Sequence, residues 1–179
     1  MRIPLFALIL IATPAWGQSM EDLRVHPTAR ELEVSFRVEE AFSDTVEERV
    51  QSGLPTAFIF QFDLLRDRKH WWDDYLRSAT LEVVAMYNAV SQEYLLNIKQ
   101  NGKLVESRTA RSLRELERLM TRFEGWPVFR LDDLPAGTRL LIKARARLGG
   151  KTYLDLVPVN VTTDWVSSRK FLVPDSEGG

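Results

Sequence analysis

Residues 53–94 decide the fold, and they read GLPTAFIFQFDLLRDRKHWWDDYLRSATLEVVAMYNAVSQEY. Large apolar side chains occur at every second position in two parts of this stretch. The first set is Phe58, Phe60, Phe62 and Leu64, and the second is Leu81, Val83, Ala85 and Tyr87. Because successive side chains of a strand point to opposite faces of a sheet, each set predicts a strand with one face in the core. We therefore expect a central antiparallel pair, joined by a charged connection that contains two tryptophans.

Strand patterns also flank this central pair. On the N-terminal side they cover residues 23–25 and 32–38, which are separated by His26-Pro27. On the C-terminal side they cover residues 94–98, 103–108, 126–131, 139–148 and 153–161. The dipeptide Asn101-Gly102 favours a type I′ hairpin turn, and Gly149-Gly150 favours a second tight hairpin.

A first short helix is expected over residues 43–52. Asp44 and Glu47 resemble a capping box there, and Gly53 is a residue type that commonly ends a helix. Together with the strand patterns, this helix indicates a mainly β domain.

A second short helix is expected to begin with the capping box of Ser112 and Glu115, to run to about Phe123 and to be stopped by Gly125. Its apolar stripe predicts packing against one face of a sheet, with membrane-surface binding through its arginines as the alternative. The expected fold is an antiparallel β-sandwich or a strongly curved sheet of about eight strands with two short helices. An α+β roll, in which a long helix covers one sheet, is the alternative architecture.

Composition excludes several classes of function. The chain has 179 residues, with 24 basic and 25 acidic side chains and a formal net charge of −1. This balance argues against a nucleic-acid partner, for which a basic domain would be expected. There is no cysteine and there are only two histidines. Disulfides and cysteine chemistry are therefore excluded, and we predict no metal site and no cofactor.

The two ends of the chain differ from the middle. Residues 1–17 resemble a secretory signal peptide, with Arg2, an apolar run over residues 3–12 and the small-residue site Ala15-Trp16-Gly17. The alternative is an uncleaved signal anchor, although the run is about half of the roughly 20 residues that cross a bilayer as a helix. We expect one periplasmic domain over residues 18–174 without a membrane span, and a disordered tail over residues 175–179.

Two segments are candidates for partner binding. The first is the connection that contains Trp71, Trp72 and Asp73. Either one tryptophan enters the core and the other lies over the end of the sheet, or the pair forms a docking surface, since exposed tryptophan beside arginine is typical of interfaces. The second candidate is a predicted strand with one basic face, and the residues of that face are Arg139, Lys143, Arg145 and Arg147. Such a face can bind an acidic partner, a phospholipid head group or an anionic glycan, or it can be solvated and neutralised by neighbouring acids.

Motifs of catalysis are missing from the sequence. It contains no Gly-x-Ser-x-Gly motif and no phosphate-binding glycine loop. His70 with Asp73 and Asp74 is the one local group that could hold a metal or a general base, but this spacing needs helical geometry, and the surrounding pattern predicts a connection between strands. We therefore predict that the protein is not an enzyme, with a hydrolase that uses these residues as the less favoured alternative.

The segments GLP and FIFQFDLLRDRKHWWDD, followed by a strand that reaches Tyr87 and Tyr94, resemble a family of exported bacterial proteins. That family is catalogued as domain of unknown function 4390, and the resemblance covers about residues 23–166. It implies a signal peptide, a periplasmic domain and no assigned catalytic residues. Members are often encoded beside a membrane sensor histidine kinase of the nitrogen-regulation type, which implies an accessory role in envelope sensing.

The expected function is therefore that of a non-catalytic periplasmic binding module. Its expected partner is an envelope protein, with an inner-membrane sensor kinase as the specific candidate, and the sequence names no small ligand. The alternative is a lipid or envelope-assembly carrier that holds an apolar ligand between sheet and helix. In that case a cavity would be lined by Phe58, Phe60, Phe62 and Met120.

Overall fold

The computed structural model describes residues 18–28, 30–68, 72–149 and 161–175, and this part of the chain is mainly β. The long strands are β1 (Ser19–Pro27), β2 (Glu31–Glu39), β3 (Thr56–Arg66), β4 (Asp74–Asn88), β5 (Glu93–Gln100), β6 (Lys103–Ala110), β7 (Arg122–Arg130) and β8 (Arg139–Gly149). The short strands are β9 (Val161–Thr162), β10 (Val166–Ser167) and β11 (Phe171–Leu172). The helices are α1 (Asp44–Gln51) and α2 (Leu113–Thr121).

These strands form two antiparallel sheets. The small sheet has the order β1-β2-β7. The large sheet has the order β10-β8-β3-β4-β5-β6, and β9 and β11 also pair with β8. Strand β3 therefore lies inside the large sheet, where it pairs with β4 on one side and β8 on the other. The predicted pairing of β3 with β4 is confirmed, and β8 is the second neighbour of β3.

The inner face of the large sheet is the apolar face that the sequence pattern predicts. Phe58, Phe60, Phe62 and Leu64 of β3 are fully buried. The ring of Phe36 on β2 lies 4.9 Å from that of Phe60 and 5.5 Å from that of Phe62. Such aromatic pairs contribute about 0.5–1.5 kcal/mol beyond the burial of their area. Because these contacts join the two sheets, the fold is a β-sandwich, as predicted, and the two helices are short.

Helix α1 begins at Asp44, but its predicted capping box is wrong. Asp44 is already helical, so the N-cap is Ser43, and the Ser43 side chain makes no capping hydrogen bond. The acidic side chains of the first turn still suit the positive end of the helix dipole. Gly53 has φ +79°, and its amide donates to the Val50 carbonyl at 3.0 Å, so the predicted stop is confirmed.

Helix α2 is capped as predicted, because the Glu115 amide donates to Ser112 Oγ at 3.2 Å. Its predicted end is wrong. The helix ends at Thr121, and Phe123 already belongs to β7, opposite Phe36 of β2. Phe123 fits the apolar stripe of the helix, but pairing with β2 buries its ring in the sandwich. Gly125 therefore lies inside a strand.

The predicted hairpin turn at Asn101-Gly102 is confirmed. Asn101 and Gly102 have φ values of +50° and +80°, as a type I′ turn requires. Strand β4 begins at Asp74, seven residues before Leu81, the first residue of the alternating apolar pattern. The predicted signal peptide lies outside the described residues, as do residues 150–160 of the second hairpin and its strand, and the tail after Asp175.

In the described part of the chain, neither helix has the length and apolar character that crossing a bilayer would require.

Candidate binding surfaces

The predicted basic face lies on the outer side of the large sheet. Leu140, Ile142, Ala144, Ala146 and Leu148 of β8 are buried in the sandwich. The intervening side chains of Lys143, Arg145 and Arg147 therefore point away from the core, and they are half-buried or exposed. Their neighbours in register on β3 are Asp63, Gln61 and Ile59. Of these three neighbours only Asp63 is acidic, so β3 offers one carboxylate to the three basic side chains.

Arg145 is held in place from two sides. Its guanidinium donates to Oε1 of Gln61, with Nη2 at 2.9 Å and Nε at 3.2 Å. On the other side it lies 4.4 Å from the centre of the Trp165 ring, which is a cation–π contact. Trp165 precedes β10 and is 40% exposed. We missed Trp165 in the sequence, because only the pairing of β10 with β8 brings it to the basic face.

The remaining basic residue, Arg139, belongs to the end of the large sheet where β3 runs into the charged connection. The Asp67 amide donates to the Arg139 carbonyl at 2.9 Å, and Arg139 Nη1 lies 3.7 Å from Asp67 Oδ2. At about 3.4 Å per residue, Arg139 is roughly 27 Å from Arg147 along β8. The structure therefore joins Arg139 to the connection, and Lys143, Arg145 and Arg147 extend from it as a stripe.

The Asp67 carboxylate links this end of the sheet to the C-terminal segment. Its side chain is only 5% exposed, and it accepts a hydrogen bond from Lys170 Nζ at 2.7 Å. This hydrogen bond, with the charges of Lys170 and Arg139, lowers the pKa of the Asp67 carboxyl, although burial opposes the shift. Asp67 is therefore a structural carboxylate that stays ionised at neutral pH.

Two large aromatic side chains are exposed where the connection meets β4. Trp72 is 92% exposed, and Tyr75 at the start of β4 is 60% exposed. Asp73 is exposed, and Asp74 forms an ion pair with Arg68. Trp72 is therefore a surface residue, whereas Trp71 and His70 lie outside the described residues. We call Trp72, Asp73, Tyr75 and Arg139 the end surface.

The metal-site and carrier alternatives can now be compared with the structure. Among the described residues, no three His, Asp or Glu side chains come close enough together to hold a metal ion, and His70 is not among them. The side chains expected to line a carrier cavity, Phe58, Phe60, Phe62 and Met120, are fully buried in one continuous hydrophobic core. Their burial follows from contacts with other core side chains, so the carrier hypothesis gains no support from them and stays a prediction.

A family model described as a domain of unknown function (DUF4390) matches residues 17–156. The chain belongs to this family. The match includes both sheets up to β8 and ends before the segment of short strands in which Trp165 precedes β10 and Lys170 precedes β11. No curated protein and no solved structure matches this DUF4390 chain.

Proposed function

We propose that this DUF4390 protein is a non-catalytic binding module of the bacterial periplasm that docks an envelope protein through the end surface. The observation that carries the proposal is the 92% exposure of Trp72, beside the exposed ring of Tyr75. Tryptophan, tyrosine and arginine are the residue types most enriched among those that dominate binding energy. The end surface presents all three.

The free energy that a partner would gain by covering Trp72 supports a docking role. An aromatic side chain buries about 150–250 Å², which at about 25 cal/mol per Å² corresponds to roughly 4–6 kcal/mol before the costs of association are subtracted. The Trp72 ring gains almost none of this within the described fold, because it is almost wholly exposed. A partner that covers it would recover much of that free energy.

The basic stripe of Lys143, Arg145 and Arg147 would orient an acidic partner as it docks. It begins near the end surface and runs along the outer face of the large sheet, so an acidic partner surface would be steered toward both. The family resemblance supports an inner-membrane sensor histidine kinase as the specific partner. An acidic extracytoplasmic segment of such a kinase would then meet the stripe while Trp72 is covered.

Photo-crosslinking in cells tests the proposal. A photoreactive amino acid in place of Asp73 keeps Trp72 intact beside it, and the same group in place of Val90 serves as the control. Val90 is 95% exposed and lies beyond the opposite end of β4. We expect position 73 to capture one envelope protein, position 90 to capture none, and Trp72→Ala to abolish capture from position 73.

The identity of the captured protein separates the two parts of the proposal. A sensor kinase would support the whole of it, whereas another envelope protein would support docking and refute the kinase assignment. Equal capture from positions 73 and 90, or capture that persists in Trp72→Ala, would refute docking through the end surface.

A further inference from the structure

A second surface lies where β6 and β7, which are edge strands of the two sheets, come together. A groove of about 420 Å³ is lined there by residues of β6, α2 and β7. Its basic side chains are Arg108, Arg118 and Arg122, and its apolar ones are Leu119, Phe123 and Trp126. We call these six residues the arginine groove. Its volume is in the range in which proteins hold small organic groups.

The apolar floor of the groove is fixed in place. The Phe123 ring is 4% exposed and stacks on Phe36 at 5.2 Å. Trp126 packs edge-on against Phe123 at 5.6 Å, and its indole nitrogen donates to Gln100 Oε1 at 3.2 Å. The same Gln100 side chain donates through Nε2 to the Pro127 carbonyl at 3.0 Å. An apolar group that enters the groove therefore meets a preformed surface.

The three arginines of the groove differ in how strongly they are paired. In the described ranges, the Arg118 side chain has no ion pair or hydrogen bond. Arg108 pairs with Glu106, two residues away on the same strand, through two hydrogen bonds of 2.7 and 2.9 Å, and this pair is half-buried. Arg122 pairs with Glu124 at 3.1 Å, and that pair is solvent-exposed. An exposed pair of this kind contributes little to stability, so a carboxylate of a ligand can replace Glu124 at Arg122.

Both strands beside the groove have a free edge. Among the described strands, β6 pairs only with β5, and β7 pairs only with β2. Leu104 and Val105 on β6 are 60% and 51% exposed. A strand edge with unpaired amides and carbonyls can accept an additional strand from another chain. An extended peptide along β6 would place its side chains beside Arg108, at the entrance of the groove.

We propose that the arginine groove binds an extended acidic segment of a partner protein. The segment pairs with the free edge of β6, its carboxylates meet Arg108, Arg118 and Arg122, and an apolar side chain between them rests on Phe123 and Trp126. Charge complementarity selects the acidic partner, because the described residues of the lining include three arginines and one acidic residue, Glu124. This site is separate from the end surface, and its test does not depend on docking there.

Fluorescence anisotropy with two designed peptides tests the proposal on the full chain. One labelled decapeptide alternates glutamate and valine, and the control peptide alternates lysine and valine. We expect the acidic peptide to bind, the basic one not to bind, and Arg118→Ala to weaken binding about tenfold. Arg114→Ala is the matched control, since Arg114 is an exposed arginine of α2 that does not line the groove. It should change the affinity less than twofold.

Further measurements identify which molecule binds in the arginine groove. N-methylation of alternate peptide amides should weaken binding, because it removes the donors that pair with β6, and unchanged binding would refute the added strand. No binding of the acidic peptide at millimolar concentration, or an equal effect of Arg114→Ala, would overturn the proposal. Anionic phospholipid vesicles that bind the protein through Arg118 and displace the peptide would assign the groove to a membrane surface instead. A dimer in solution that Arg118→Ala dissociates would assign it to a second copy of the chain.

Discussion

The inner face of the large sheet is apolar and closed, whereas the outer face along β8 carries the half-buried or exposed polar side chains of Lys143, Arg145 and Arg147. On the inner face, Phe60 is fully buried and contacts the rings of Phe36 and Phe123. On the outer face, the neighbouring residue Gln61 holds Arg145, which in turn lies on an exposed tryptophan. One strand thus has two different faces, since alternate side chains join the two sheets and the side chains between them belong to the outer face.

This contrast separates stability from recognition. A change on the inner face removes packing that no solvent molecule can replace, so it should alter the free energy of unfolding. A change on the outer face removes contacts that compete with water, so it should alter binding more than stability. The comparison fails if residues of the two faces have similar effects.

The largest expected effect is that of Phe60→Ala. Removal of a fully buried ring leaves a cavity between the sheets, and we expect a loss of about 3–5 kcal/mol in the free energy of unfolding. Urea denaturation measures it. Gln61→Ala, one residue further on the opposite face, is the matched control and should cost about 0.5–1.5 kcal/mol. Equal losses for the two variants would contradict the division between the faces.

Acid should weaken the end of the sheet through Asp67. Its pKa is lowered in the folded state, first by the hydrogen bond from Lys170, so the stabilisation is present above the ordinary carboxyl pKa and is lost as the pH falls through the folded value. Unfolding followed from neutral pH into the acid range should therefore show a shallower loss of stability in Asp67→Asn than in the unchanged protein. Asp73→Asn is the control, because the Asp73 side chain is exposed. Parallel pH profiles for Asp67→Asn and the unchanged protein would show that this ion pair adds nothing.

The inner face could be predicted from the sequence because its signal is local. Alternation over Phe58, Phe60, Phe62 and Leu64 needs only the two-residue period of a strand. The end of α2 could not be predicted in this way, since Phe123 fits both the stripe of a helix and a position opposite Phe36. The contact with β2, about 90 residues away in sequence, decides between them.

The candidate surfaces were predicted in part for the same reason. The basic residues of β8 follow from alternation, but their neighbours depend on which strands pair. Arg145 meets Gln61 and Trp165 only because β8 lies between β3 and β10. The arginine groove was not predicted, because it combines side chains from two sheets and a helix. Its one local signal was the run of arginines around α2.

A smaller effect is expected for the contact between Arg145 and Trp165. A double-mutant cycle of Arg145→Ala and Trp165→Ala should give a coupling energy of about 0.5–1 kcal/mol, since the pair is partly exposed. Unfolding midpoints of the four proteins provide the measurement. A coupling near zero would mean that the two side chains are adjacent on the basic face without holding each other in place.

The smallest effect on stability is expected for Trp72→Ala. Its ring is 92% exposed, so removal should change the free energy of unfolding by no more than about 0.5 kcal/mol. The urea midpoint and the slope of the transition should both match those of the unchanged protein. Partner capture from position 73 should be lost in the same variant. A loss of stability close to that of Phe60→Ala would show that Trp72 packs against the fold, and the end surface would then lose the residue on which its docking role depends.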